Sequence, residues 1–144
     1  MKKVLRAGIA LVFAACLGLN VVPAMASGTE GRAYNMTYEE YATYVDDFSY
    51  IEEKDTTSSI GVENYTCNQP YHVIAYGSYS PEQGSYLSDC SDGGRLAVYF
   101  SEGGYQYGEL GNYVVEWGFC ATAIRGIYNG DNYFHAEGWF TPDI

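Results

Sequence analysis

Few side chains in this sequence could do chemistry, and they lie far apart. The two histidines, His72 and His135, each sit beside aromatic residues in β-prone runs. A Cys–His nucleophile would need one of them beside an activated thiol. The candidate thiol, Cys120, lies in Trp117-Gly-Phe-Cys-Ala-Thr-Ala123, an apolar context that raises a thiol pKa rather than lowering it. Two carboxylates, Glu116 in Val-Val-Glu-Trp and Glu137 in His-Ala-Glu-Gly-Trp, fall in apolar stretches where burial would push them toward general-acid use. A small hydrolase using Glu116 or Glu137 is therefore one expectation, though strand alternation can turn either residue into water.

No Gly-x-Ser-x-Gly, His-Glu-x-x-His or phosphate-binding loop occurs. Zinc would need His72, His135 and a carboxylate to converge. The oxygen-rich runs Asp89–Gly94 and Asn129–Asn132 could hold calcium, but ordinary turn chemistry accounts for both. No catalytic residue, metal or cofactor is expected. Asn35-Met-Thr and Asn64-Tyr-Thr match the glycosylation sequon, read as chance matches beside a bacterial-type leader.

The aromatic residues are the stronger signal. Trp139 stands beside Phe140 near the end of the last β-prone run, and together with Tyr79 these form the expected ligand surface. Trp117, between Val114-Val115 and Phe119, is expected in the core. The 16 tyrosines are expected to fill core and sheet, because leucine after residue 26 occurs only at positions 87, 96 and 110.

These residues need elements to position them. Thr37-Tyr38-Glu39-Glu40 has the form of a capping box, and Tyr38, Tyr41, Val45 and Phe48 follow at helical spacing, so a helix is expected over 38–52. Beyond Ile60 the pattern is of strands: Ile60–Cys67, Tyr71–Tyr79, Arg95–Phe100, a short tyrosine stretch, a long Tyr113–Ile124 and a last strand to Phe140. Asn129-Gly130 reads as a hairpin turn joining Ile127-Tyr128 to Tyr133-Phe134. Several residues, among them Gly31-Arg32, Glu39, Tyr44 and Tyr65, recur 63 positions later, a hint of duplication. The expected fold is mainly β, an antiparallel sheet or sandwich with one N-terminal helix, with α+β as the alternative class.

Residues 1–26 read as a secretory signal peptide: a basic head, an apolar run from Ala7 to Val22, and Ala-Met-Ala before a cut after Ala26. Lipidation at Cys16 is the weaker reading. Residues 27–36 are then a flexible lead, and 37–144 a single exported domain. Nothing after residue 28 is apolar for long enough to span a bilayer. Cleavage leaves four basic against 18 acidic residues, a formal charge of −14. Such a surface repels phosphates and so excludes nucleic acid as a partner. In an oxidising compartment Cys67 and Cys90, both in polar contexts, are expected to pair, stabilising by about 3 kcal/mol, with Cys120 a buried thiol. Export, acidity and aromatic richness together suggest a non-catalytic module that binds a protein or glycan partner at the cell envelope, or an inhibitor or immunity-type protein for a basic partner. Intact-mass analysis of the exported protein is expected to show an N-terminus at Ser27; retained Met1 or a lipidated Cys16 would overturn this.

Overall fold

The computed structural model describes residues 31–38 and 48–144. They form nine strands: β1 Arg32–Tyr38, β2 Glu52–Glu53, β3 Ile60–Cys67, β4 Tyr71–Ser78, β5 Ser88–Asp89, β6 Val98–Phe100, β7 Gln106–Leu110, β8 Ala121–Ile127 and β9 Phe134–Thr141. Two antiparallel sheets face each other. The first runs β1-β9-β3-β7; the second runs β2-β8-β4, with β5 and β6 both on the far side of β4. Alternation supplies the core between them. Tyr34, Met36, Ile60, Val62, Leu110, Phe134 and Phe140 point in from the first sheet, and Tyr71, Val73, Ala75, Phe100 and Ile124 from the second. Gly126 has no room for a Cβ because the Met36 sulfur packs against it from the opposite sheet.

The two halves of the chain are laid out alike. Replacing each of β1–β4 by β6–β9, and the reverse, turns the order β1-β9-β3-β7 into β6-β4-β8-β2, which is the second sheet without β5. β4 and β9 also stand 63 residues apart, the offset of the sequence recurrences.

Several expectations change. The helix over 38–52 falls mostly on residues 39–47, outside the described residues; Tyr38 lies in β1 and Glu52–Glu53 form β2. Residues 32–36 of the expected lead form most of β1, because seven consecutive pairs with β9 and the burial of Tyr34 and Met36 order them. Tyr113–Ile124 is not one strand. Residues 114–118 make a single helical turn, in which Trp117 N–H donates to the Tyr113 carbonyl at 3.0 Å. Gly118, at φ 85°, ends it as Phe119 N–H reaches Val114 O and Gly118 N–H reaches Val115 O. Trp117 is accordingly 49% exposed rather than core. The Asn129-Gly130 segment is not a hairpin. Both edges of β8 are already taken by β2 and β4, so the chain arches across to pair β9 with β1 and β3.

A buried ion pair closes the sandwich. Lys54, after β2, has three N–H donors, and all are used: Ser58 O at 2.8 Å, Pro142 O at 2.6 Å and Asp143 Oδ1 at 2.8 Å. Asp143 also accepts from the Thr56 hydroxyl at 2.6 Å and the Asp55 amide at 3.1 Å. Desolvation works to raise the Asp143 carboxyl, but the bonds from Lys54, Thr56 and the Asp55 amide outweigh it and hold the group below the usual carboxylate range. A carboxyl depressed on folding stabilises above its unfolded pKa, and that stability is lost as pH falls through the folded value. Lys54→Met, which strands Asp143, is expected to cost about 3–5 kcal/mol, read from denaturant midpoints at neutral pH. Asp143→Asn is expected to remove part of the wild-type loss of stability in acid; an unchanged acid limb would refute the assignment.

Candidate functional site

Alternation separates the expected ligand residues. Trp139 points outward from β9 and is 36% exposed, whereas Phe140, one residue on, is 0% exposed and belongs to the core. Tyr79 is 72% exposed, but it follows β4 of the second sheet and packs on Phe119 with ring centroids 4.6 Å apart. Phe140 is therefore withdrawn from the ligand surface, and Tyr79 belongs to a different part of the molecule.

Trp139 instead has other neighbours, on the outer face of the first sheet. Its cross-strand partners are Ala33 on β1 and Glu63 on β3, and Glu63 is in turn opposite Tyr107 on β7. At the interstrand spacing this sets Trp139 and Tyr107 ~10 Å apart with a carboxylate between them. A register shift between Asn64 and Thr66 leaves Tyr65 unpaired and exposed. It stacks on Tyr105, centroids 6.3 Å apart at 20°. Glu109 and Glu137 extend the face, and Glu137 Oε1 lies 2.9 Å from His135 Nε2. Two glycines shape it. A Cβ on Gly31 would collide with the indole nitrogen of Trp139, and one on Gly138 would collide with the Glu63 carbonyl.

A buried polar chain braces the face from beneath. Tyr71 donates to Asn64 Oδ1 at 2.9 Å, the Tyr34 and Tyr71 hydroxyls are 3.0 Å apart, and Tyr34 reaches the Glu63 carbonyl at 3.2 Å. Asn64 Nδ2 lies 3.3 Å from Gly104 O. Burial pushes both phenols well above their ordinary pKa, so they stay protonated donors. On the face itself the Tyr105 phenol is raised by desolvation and then by Glu63, and the Tyr107 phenol by desolvation and then by Glu109 and Glu63.

No lysine or arginine among the described residues answers these carboxylates. Arg32 pairs with Glu52 at 2.7 Å and lies over the Tyr50 ring; Lys54 is buried with Asp143; Arg95 pairs with Asp92 at 3.2 Å; Arg125 lies over Phe48. The tyrosines, expected inside, are mostly outside: among the described residues nine are exposed, and only Tyr34 and Tyr71 are buried. Tyr65, Tyr105 and Tyr107 were missed as site residues. Their signal was the alternation Glu63-x-Tyr65 and Tyr105-x-Tyr107-x-Glu109, in which every second residue is a large aromatic or an acid.

The chemistry-bearing residues do not assemble. Glu116 is exposed on the 114–118 turn, Glu137 is on the sheet face, and among the described residues no group of three metal-ligating side chains converges. His72 stacks on Tyr99 at 5.1 Å, and burial lowers its pKa. The expected Cys67–Cys90 bridge is absent, and Cys120, expected to be buried, is exposed. Cys67 and Cys90 are buried free thiols; Cys120 is exposed, its Sγ 3.2 Å from Tyr79 O. The Cys67 thiol contacts Ser101 O at 3.1 Å, next to Phe100, which pairs with Tyr71 at the start of β4, while Cys90 sits by Gly77 near its other end, so most of the length of β4 separates them. Burial pushes the Cys67 thiol up and the Cys90 thiol up to about 11. Among the described residues no helix is long and apolar enough to cross a membrane. No protein-family model, curated protein or solved structure matches the chain.

Iodoacetamide is expected to label Cys120 in the native protein, and Cys67 and Cys90 only after denaturation. Peptide mapping that finds a Cys67–Cys90 bridge would contradict the arrangement.

Proposed function

We propose that the chain is a non-catalytic module, exported to the cell envelope, that presents the outer face of its first sheet to a basic protein partner. The observation that carries this reading is Trp139 and Tyr107 flanking Glu63 on an open face whose carboxylates have no lysine or arginine partner among the described residues. Exposed aromatic rings supply rigid contact area, and a cation over a ring is attracted to its face. A carboxylate between two rings suits a lysine or arginine head whose stem lies on the rings. The formal charge of −14 after residue 26 adds long-range steering toward a basic target. This joins the binding-module and inhibitor readings. The hydrolase reading has less support, because Glu116 and Glu137 lie on separate open surfaces.

The test uses immobilised poly-L-lysine, with its N-acetylated form as the uncharged control. The wild-type protein is expected to bind the first and not the second, more weakly as salt rises. Trp139→Ala and Tyr107→Ala leave the net charge unchanged, yet each is expected to weaken binding about tenfold, because a cation–π contact is worth ~0.5–2 kcal/mol. Trp117→Ala, on an exposed turn away from the sheet face, is expected to change neither binding nor melting. Equal binding by Trp139→Ala, Tyr107→Ala and wild type would reduce the effect to bulk charge and remove the face from the function.

A further inference from the structure

We propose that the groove between the β3–β4 and β8–β9 connections is a second, separate binding site, and that it takes a neutral sugar ring. The two arches meet at one end of the sandwich and line an open groove of about 480 Å³, within the range of small-ligand sites. Its walls are aromatic. Tyr99 stands 74% exposed on one side, stacked on His72; Tyr128 forms the other, held by stacking on Phe134 with centroids 5.0 Å apart at 14°. Tyr128 is also fixed from outside, since a Cβ on Gly130 would run into its hydroxyl.

Besides His72 and the tyrosine hydroxyls, the polar lining consists of amides. Gln69 comes from the first arch, and Asn129 and Asn132 from the second. None of the three side chains hydrogen-bonds to another described residue, although neighbouring Asn68 donates to the Tyr133 carbonyl and accepts from the His135 amide. An amide side chain both donates and accepts, which matches the paired hydroxyls of a sugar ring. The ring's C–H face can lie on a tyrosine. A purely aromatic ligand would bury these amides without partners.

Charge points the same way. In a chain of net charge −11, no Asp, Glu, Lys or Arg lines this groove, and burial keeps His72 toward the neutral form. That separates it from the carboxylate-bearing sheet face, so the two surfaces suit different ligands.

The experiment titrates the protein with maltotriose, cellotriose and tri-N-acetylchitotriose, followed by proton–nitrogen NMR of the side-chain amides. At least one sugar is expected to shift the Gln69, Asn129 and Asn132 resonances, with an affinity that does not change between low and moderate salt. Tyr99→Ala is expected to weaken that binding about tenfold or more by loss of the stacking ring. Gln69→Ala provides a second variant should Tyr99→Ala melt early. Tyr86→Ala, exposed elsewhere, and Trp139→Ala are expected to bind sugar as wild type does. Shifts confined to the Trp139 indole, a salt-dependent affinity, or no amide shift with any of the three sugars would each overturn the proposal. None of these outcomes bears on poly-lysine binding by the sheet face.

Discussion

The buried contact between Lys54 and Asp143 fixes the relation between the two sheets. Lys54 immediately follows β2, an edge of the second sheet, and Asp143 lies two residues past the end of β9, an inner strand of the first. Their side chains are 0% and 4% exposed. Ion pairs in such places need not add net stability, because desolvation cancels much of the attraction. Their effect is on geometry. Every donor of Lys54 has an acceptor in one arrangement only, so the end of β9 cannot slide along β3 without breaking several bonds at once. A slip of one residue would exchange Trp139 for Phe140 on the outer face.

Beneath that face the core is not purely apolar. The Tyr34–Tyr71–Asn64 chain crosses between the sheets and meets the backbone at Glu63, next to the register shift. A fully bonded buried network holds one arrangement. Here that arrangement keeps Glu63 and Tyr65 standing out together. The glycines at 31 and 138 remove the Cβ atoms that would otherwise separate backbone from ring.

The two halves share a layout, yet one outer face stays open while the other is covered. The first sheet carries Trp139, Glu63 and Tyr107 outward. The corresponding side of the second buries Ala121 and Ala123 under Ile51, Phe48 and Leu87. The same layout brings two like connections to one end, and the groove lined by Gln69, Tyr128 and Asn132 lies between them.

Local pattern was enough to place β3 and β4 nearly to the residue, and to put Trp139 at the surface. Period-two alternation carries that information along one strand. It could also have removed Phe140 from the site and pointed to Tyr65, Tyr105 and Tyr107, since residues two apart share a face. What local pattern could not carry is which strand lies beside which. Asn129-Gly130 has the chemistry of a tight hairpin turn, yet β8 has β2 and β4 on its two edges, and that competition lies more than 40 residues away. Val114 to Phe119 reads as strand, yet it closes as a turn because Gly118 can adopt φ 85°. The cysteines follow the same logic: sequence context alone made Cys67 and Cys90 polar and Cys120 apolar, while the packing of two sheets buried the first two and left the third outside. Sequence determined β3, β4 and the outward face of Trp139, because alternation along one strand depends on neighbouring residues. The pairing of distant strands decided the sheet order, the open face and the groove, because burial and hydrogen bonding are satisfied only across the whole sandwich.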